Sequence, residues 1–264
     1  MDNSQESAAQ GGPEQSRPKF AMKAMTSQNT SLGSGINIGG VISRTFETLM
    51  KNPVVFFGIS FAVMVPPAIL GALAPAGGAL NVIVKIIEMI LGCIAQGAIA
   101  YAVYQAMSGK IVGMGDALGR GTATIVPLVL TSILMTLGMM LGMLLLIVPG
   151  FILICMWFVA IPACVVEKTG PVESLQRSAF LTKGCRLQIF ALVLLTFVLI
   201  AILVGAISFL IASITGSYVA AALVAAIIGI VPQAFASVLY AIVYYDLRAL
   251  KEGISLDNLT SVFD

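Results

Sequence analysis

Six apolar segments, separated by short turns or polar connectors, constrain this chain more than any other feature. The segments lie near 54–74, 82–107, 123–147, 151–166, 188–212 and 219–243. Apolar segments of about 20 residues are long enough for a helix to cross a bilayer. Only 10% of the 264 residues are charged while 59% are apolar, which is too few charges to cover a soluble fold. The sequence therefore predicts an all-α polytopic membrane protein with six transmembrane helices.

The chain divides into three predicted regions. Residues 1–35 are rich in Gln, Ser, Gly and Ala, so we expect a disordered cytoplasmic tail and no cleaved signal peptide. A short partner-binding segment within this tail is the alternative to a passive one. Residues 36–253 form the predicted membrane domain, and residues 254–264 form a short cytoplasmic tail.

The basic residues indicate how the chain is threaded. With the N-terminus inside, the external links are 75–81, 148–150 and 213–218, and none contains Lys or Arg. All 14 basic residues except Lys85 then fall on the cytoplasmic side. Because cytoplasmic loops of membrane proteins carry the excess of Lys and Arg, both termini are predicted to be cytoplasmic.

One pattern occurs three times along the chain, a polar connector followed by two apolar segments. It predicts three helical hairpins, each preceded by a cytoplasmic amphipathic helix. In residues 37–51 the apolar and charged side chains occupy opposite helical faces. The apolar set is Ile38, Val41, Ile42, Phe46 and Leu49, and the charged set is Arg44, Glu47 and Lys51. This helix can lie in the headgroup plane, pack on the ends of the spans or dock a partner.

Proline, glycine and tyrosine predict irregular points and boundaries. Val148-Pro149-Gly150 predicts a turn between spans 3 and 4, and Pro162 a bend in span 4. Gly138 and Gly142 have a spacing that permits close helix approach. Three tyrosines are expected at the membrane interface, and a short separate helix is expected from Asp246 onward. These tyrosines are Tyr240, Tyr244 and Tyr245.

Lys85 and Glu88 are the only charges deep in an apolar segment. They are three residues apart, so they share one helical face and can pair. Since both lie near the start of span 2, they form either an interfacial ion pair or a functional intramembrane polar site. A second pair, Asp116 and Arg120, is predicted in the connector 108–121.

No constellation typical of an enzyme occurs in the sequence. The chain has no histidine, and its cysteines are Cys93, Cys155, Cys164 and Cys185, none in a predicted external loop. We therefore predict no catalytic, cofactor or metal site and no disulfide framework. The net charge of +2 gives no indication of a nucleic-acid partner.

Residues in the middle and at the end of the chain resemble a known family. They are Leu145-Leu-Ile-Val-Pro-Gly150, Trp157, Pro162, Val166-Glu167, Gly170, Leu175, Arg177-Ser178, Leu181-Thr-Lys-Gly184, Tyr245-Asp-Leu-Arg248 and Glu252-Gly253. The pattern resembles uncharacterised bacterial six-span inner-membrane proteins related to the membrane domain of glycerophosphodiester phosphodiesterases, over roughly 36–259. The resemblance implies the six-span fold and the bacterial inner membrane. It implies no activity, because the chemistry of those phosphodiesterases belongs to a separate soluble domain that uses histidines and carboxylates.

Together these features predict a non-enzymatic structural or interaction protein. It would organise lipid, membrane shape or a partner complex through a basic cytoplasmic face that attracts anionic headgroups. Its partner would be membrane lipid, a second copy of the chain or another membrane protein. The candidate residues are Arg44, Lys51, Arg120, Arg177, Lys183 and Arg186. The alternative for each is a role in topology and solubility alone.

A transporter or permease for a lipid or small apolar molecule is the second hypothesis. Prolines in spans 1, 4 and 6 favour broken helices, which transporter sites often use. In that case Lys85 and Glu88 would supply the polar element.

Overall fold

The computed structural model describes residues 35–73, 78–107, 110, 112–216 and 227–252. Most of the two predicted tails lies outside these residues. So do parts of the predicted links 75–81, 108–121 and 213–218, and the start of the predicted span 6.

The regular secondary structure of the described residues consists of helices, with no strand among them. The helices are α1 (Ile38–Lys51), α2 (Pro53–Leu73), α3 (Ala79–Met107), α4 (Met114–Ala123), α5 (Ile125–Leu145), α6 (Ile147–Met156), α7 (Ala160–Glu167), α8 (Pro171–Thr182), α9 (Arg186–Thr215) and α10 (Ile230–Glu252). The connector helices α1, α4 and α8 each precede a long apolar helix. Their amphipathic and cytoplasmic character stays a prediction.

Six stretches of the described residues are long and apolar enough to cross a membrane. They are Pro53–Gly71, Ala79–Met107, Ile125–Leu145, Val148–Glu167, Arg186–Ile214 and Ile230–Glu252. The predicted all-α, six-span class is thereby confirmed. The separate exit helix predicted from Asp246 is wrong, because α10 continues without a break to Glu252. No helix breaker interrupts this stretch before Gly253, which explains why the helix runs on.

The fourth span consists of two helices, α6 and α7, with a break at Trp157–Val159. Ser178 Oγ on α8 donates to the Met156 carbonyl at 2.8 Å and accepts from the Val159 amide at 3.2 Å. Thr182 Oγ1 donates to the same carbonyl at 3.2 Å. Non-helical backbone at membrane depth needs such partners. The bend predicted at Pro162 therefore lies earlier, and Pro162 occupies the first turn of α7, where its missing N–H costs nothing.

The turn between α5 and α6 is tighter than the predicted Val148–Gly150. Only Leu146, with φ −164° and ψ 145°, separates the two helices. A Cβ added to Gly150 would lie 2.5 Å from Met143 Cγ and 3.2 Å from Met143 Cα. At Gly138 an added Cβ would lie 2.4 Å from the ring of Trp157. Glycine at these positions therefore lets α6 fold back closely along α5.

The last helix, α10, lies at the centre of the packing. It contacts α1, α2, α3 and α8, and most of its residues from Ser237 to Leu247 are buried. Tyr244 and Tyr245 are among them, so their prediction as interface anchors is wrong, because the end of α10 is enclosed by neighbouring helices. By contrast, α9 has its main contact with α6 and exposes a largely apolar surface. The described residues do not include the link between α9 and α10, and the three-hairpin arrangement stays a prediction.

Candidate functional site

Two groups of polar side chains lie at the end of the bundle where α3 and α10 terminate. Tyr104, near the end of α3, stacks on Tyr245 of α10 with ring centroids 6.1 Å apart. This contact places the two polar groups at a similar height along the helix bundle. The ion-pair network comprises Glu167, Arg177, Tyr244, Arg248 and Glu252. The polar groove is lined by Tyr101, Gln105, Lys110, Val112, Gly115, Asp116, Gly119, Arg120 and Ala123.

The ion-pair network joins α7, α8 and α10. Arg177 Nε donates to Glu167 Oε1 at 2.8 Å, and Arg177 also pairs with Glu252. Arg248 Nε donates to the second oxygen of Glu252 at 2.8 Å. The hydroxyl of Tyr244 donates to Glu167 at 2.7 Å. Each carboxylate thus accepts from two donors, as partly buried charges require.

Arg177 occupies the middle of this network, and it is outside the spans. Burial alone would lower the pKa of its guanidinium, but the hydrogen bonds and charges of Glu167 and Glu252 outweigh burial and raise it. Arg177 therefore stays protonated at any physiological pH. Its positive charge is matched by two carboxylates of the protein itself.

A second ion pair fixes α1 to α10. Both terminal nitrogens of Arg44 donate to the carboxylate of Asp246, one of them at 2.6 Å to Oδ1. This fork-on-fork geometry is the strong form of an arginine–carboxylate contact. On the same side of α1, Val41, Thr45 and Leu49 are buried, whereas Phe46 of the predicted apolar face is exposed. The face of α1 that packs is therefore the one beside Arg44.

The polar groove forms where α4 packs closely on α3. A Cβ added to Gly121 would lie 2.5 Å from the Ile94 carbonyl oxygen, so glycine permits contact between the two backbones. The groove in front of this contact has a volume of about 650 Å³. Gly115 and Gly119 line it, and a Cβ added to either would have no atom within 4 Å.

Arg120 and Lys110 make the groove cationic. The Arg120 guanidinium lies over the Tyr101 ring at 5.4 Å, and Gln105 Nε2 donates to the Tyr101 hydroxyl at 2.8 Å. The predicted Asp116–Arg120 pair does not form, because the arginine packs on the ring instead. Among the ion pairs of the described residues, none includes Arg120 or Lys110. Among the described residues that line the groove, only Asp116 carries a carboxylate, which leaves these residues with a net positive charge.

The other predicted basic residues occupy separate positions. Lys51 is exposed at the end of α1, and Lys183 is exposed just after α8. Arg186, at the start of α9, is half-buried, and its Nε has no hydrogen-bond partner among the described residues. The structure therefore brings Arg44 and Arg177 into ion pairs and Arg120 into the groove, and it leaves two lysines on the surface.

Lys85 and Glu88 pair as predicted, with Nζ to Oε2 at 2.6 Å. Their side chains are 77% and 46% exposed on the outer surface of α3. They line neither the groove nor the ion-pair network. Whether this pair is interfacial or functional was open from the sequence, and its outward position separates it from the other polar groups.

Sequence reasoning missed the acidic half of the site. Glu167, Asp246 and Glu252 neutralise arginines that were predicted to face lipid or a partner. A signal was present, since these carboxylates and Arg248 all belong to the residues that carry the family resemblance. Tyr101 and Gln105 carried no signal, because both lie in an otherwise apolar span.

In the part of the chain that the structure describes, no three Cys, Asp or Glu side chains come together as a metal ion would require. Comparison with known proteins finds no matching family model, no matching curated protein and no matching solved structure. The six-span resemblance therefore rests on the residues quoted above and stays a prediction.

Proposed function

We propose that this chain is a non-enzymatic integral protein of the bacterial inner membrane that organises lipid, membrane shape or a partner complex through its basic end. In this proposal the polar groove binds the phosphate headgroup of an anionic phospholipid. The observation that carries it is that Arg120 and Lys110 line the same open groove. Among the described residues, neither cation takes part in an ion pair.

The dimensions and chemistry of the groove suit a headgroup. Its volume of about 650 Å³ falls in the range of about 300–1,000 Å³ that small-molecule sites occupy. Arg120 can present its outer N–H groups to phosphate oxygens while its plane stays on Tyr101. The Tyr101 hydroxyl accepts from Gln105, so its own proton is free to be donated to the same phosphate.

The remaining basic residues divide into two roles in this proposal. Arg44 and Arg177 hold the helix ends together, because their charges are matched by Asp246, Glu167 and Glu252. Lys183 is exposed and would attract the anionic leaflet by about 1 kcal/mol. With both termini cytoplasmic, this leaflet is the cytoplasmic one.

The direct test is lipid binding by the full-length protein. Native mass spectrometry in mild detergent would count phosphatidylglycerol molecules bound to the parent and to the variant Lys110→Ala/Arg120→Ala. We expect the variant to bind about thirtyfold more weakly, because two contacts of about 1 kcal/mol each are lost. Lys251→Ala, which removes a cation from the exposed end of α10, is the matched control and should bind like the parent.

Two results would contradict the proposal. In the first, the double variant binds phosphatidylglycerol as tightly as the parent does. In the second, millimolar inorganic phosphate displaces the lipid completely, which would identify a soluble phosphate compound as the ligand instead.

One observation favours the second hypothesis, transport of a lipid or small apolar molecule. The break between α6 and α7 gives the fourth span the discontinuous helix that transporter sites often contain. Against this, Lys85 and Glu88 face outward and line neither polar group at the other end of α3. Substrate flux in proteoliposomes that is lost in Lys85→Gln/Glu88→Gln, with assembly intact, would support transport over the structural role.

A further inference from the structure

We infer that Asp116 makes the polar groove selective for an anionic headgroup that carries hydroxyl groups, such as the headgroup of phosphatidylglycerol. The inference rests on the proposed function, because it concerns the same groove and the same class of lipid. It adds the chemical group that the ligand must present beside its phosphate. It starts from a carboxylate that has no partner in the described part of the chain.

Asp116 differs in this respect from the other described carboxylates. Six further Asp and Glu side chains belong to the described residues, and each interacts with a group of the protein. They are Glu47, Glu88, Glu167, Glu173, Asp246 and Glu252. The Asp116 carboxylate makes no hydrogen bond and no ion pair among the described residues, although Arg120 lies one turn further along α4. The groove therefore contains an unpaired carboxylate as well as two unpaired cations.

The position of Asp116 in its helix does not use up its oxygens. Asp116 lies in the first turn of α4, where an acid interacts favourably with the helix dipole. Glu173 has the same position in α8, but its carboxylate also accepts from the Gly170 amide at 3.2 Å. Asp116 makes no such bond and lines the groove instead. Its oxygens can therefore accept hydrogen bonds from a ligand.

The groove has room for a headgroup that reaches from Arg120 to Asp116. These two residues share one face of α4 and are one turn apart, about 6 Å along the axis. Gly119 and Gly115 precede them, and a Cβ added to either glycine would have no atom within 4 Å. A lipid whose phosphate is held by Arg120 and Lys110 can therefore extend its glycerol unit through open space toward Asp116.

The charge of the groove favours hydroxyl groups over an ammonium group at this position. The described lining residues carry two cations, Lys110 and Arg120, and one carboxylate, Asp116, which gives a net charge of +1. A phosphodiester with an uncharged glycerol unit carries one negative charge and neutralises the groove. A zwitterionic headgroup would leave the positive charge unmatched. A phosphodiester without hydroxyl groups would bring its negative charge beside Asp116 and offer no donor in return.

Two lipids that differ only in the headgroup substituent test this inference. Phosphatidylmethanol is a phosphodiester of the same charge as phosphatidylglycerol, but its headgroup has no hydroxyl group. Native mass spectrometry of the full-length protein in mild detergent, with equimolar amounts of both lipids and identical acyl chains, gives the ratio of the two bound forms. We expect the parent to bind phosphatidylglycerol about tenfold more tightly, because only this lipid donates a hydrogen bond to the charged carboxylate.

Two substitutions of Asp116 should reduce this preference. Asp116→Ala should bring the ratio close to one, and Asp116→Asn should lower it in the same direction, because an amide oxygen accepts without a charge. Glu173→Gln, which changes a first-turn acid outside the groove, is the matched control and should keep the parental ratio. A role of Asp116 in helix stability alone would change the unfolding temperature and leave the ratio as it is in the parent.

The inference is overturned if the parent shows no preference between the two lipids or if Asp116→Ala keeps the parental ratio. It is also overturned if phosphatidylethanolamine binds the parent more tightly than phosphatidylglycerol, which would place an ammonium group at Asp116. The variant Lys110→Ala/Arg120→Ala separates these failures from a failure of the proposed function. Weaker binding of both anionic lipids by this variant supports the proposed function, and unchanged binding contradicts it.

Discussion

At the scale of single residues, a few short hydroxyl side chains hold the irregular part of the fourth span. The break after Met156 frees the Met156 carbonyl and the Val159 amide within the candidate membrane span Val148–Glu167. Ser178 satisfies both groups, and Thr182 adds a second donor to the carbonyl. A break of this kind can persist in a membrane only if such partners exist.

Replacing Ser178 with alanine should destabilise the protein by about 1–3 kcal/mol, because the buried Val159 amide would lose its partner. Thermal unfolding of the purified protein in detergent measures this loss. Ser213→Ala is the matched control, since the Ser213 hydroxyl is exposed and donates only to a carbonyl of its own helix. An unfolding temperature for Ser178→Ala equal to that of the control would contradict the role given to Ser178.

At the scale of elements, the position of a glycine on α4 decides whether it serves packing. Gly121 faces α3 and is buried, whereas Gly119, on the same helix, is exposed and has open space around it. Both residues look alike in the glycine-rich connector. Of these two glycines, only Gly121 takes part in the contact that shapes the polar groove.

Alanine at these two positions should have opposite effects on stability. Gly121→Ala should cost about 1–3 kcal/mol, because its Cβ would meet the Ile94 carbonyl oxygen and force α4 away from α3. Gly119→Ala should be neutral or stabilising by up to about 1 kcal/mol, because alanine favours the helix and meets no atom. The two unfolding temperatures, measured side by side, check the prediction, which fails if both variants shift in the same direction.

At the scale of the whole molecule, the described helices separate a polar end from apolar spans. The ion-pair network, the Arg44–Asp246 pair and the polar groove all lie at the end where α3 and α10 terminate. The beginnings of α3 and α6 lie toward the opposite side of the bundle. From the positive-inside rule we propose that the polar end is cytoplasmic.

Thiol labelling in intact cells measures this orientation. All four native cysteines are buried, which leaves a low background. Lys110→Cys and Lys251→Cys should react with an impermeant maleimide only after permeabilisation. Leu80→Cys, at the exposed start of α3, should react without it. The reverse pattern would invert the proposed topology.

The sequence predicted the class well because that class follows from length and polarity. A run of about 20 apolar residues has few soluble alternatives, so six spans and the helices between them could be recognised. The break in span 4 could not be placed from its proline, since Pro162 fits the first turn of α7. Its position depends on Ser178 and Thr182, which lie on another helix.

The charged residues could likewise be recognised in the sequence, whereas their ion-pair partners could not. Arg44 and Arg177 could be recognised as basic residues in connectors, but Asp246 and Glu252 lie far along the chain and meet them only through α10. The sequence by itself determined that the chain is helical, that it has six spans and that its charges concentrate in connectors. These properties depend on neighbours along the chain. Only the tertiary structure decided which cations are neutralised inside the protein and which face outward, because ion pairing depends on distances between helices.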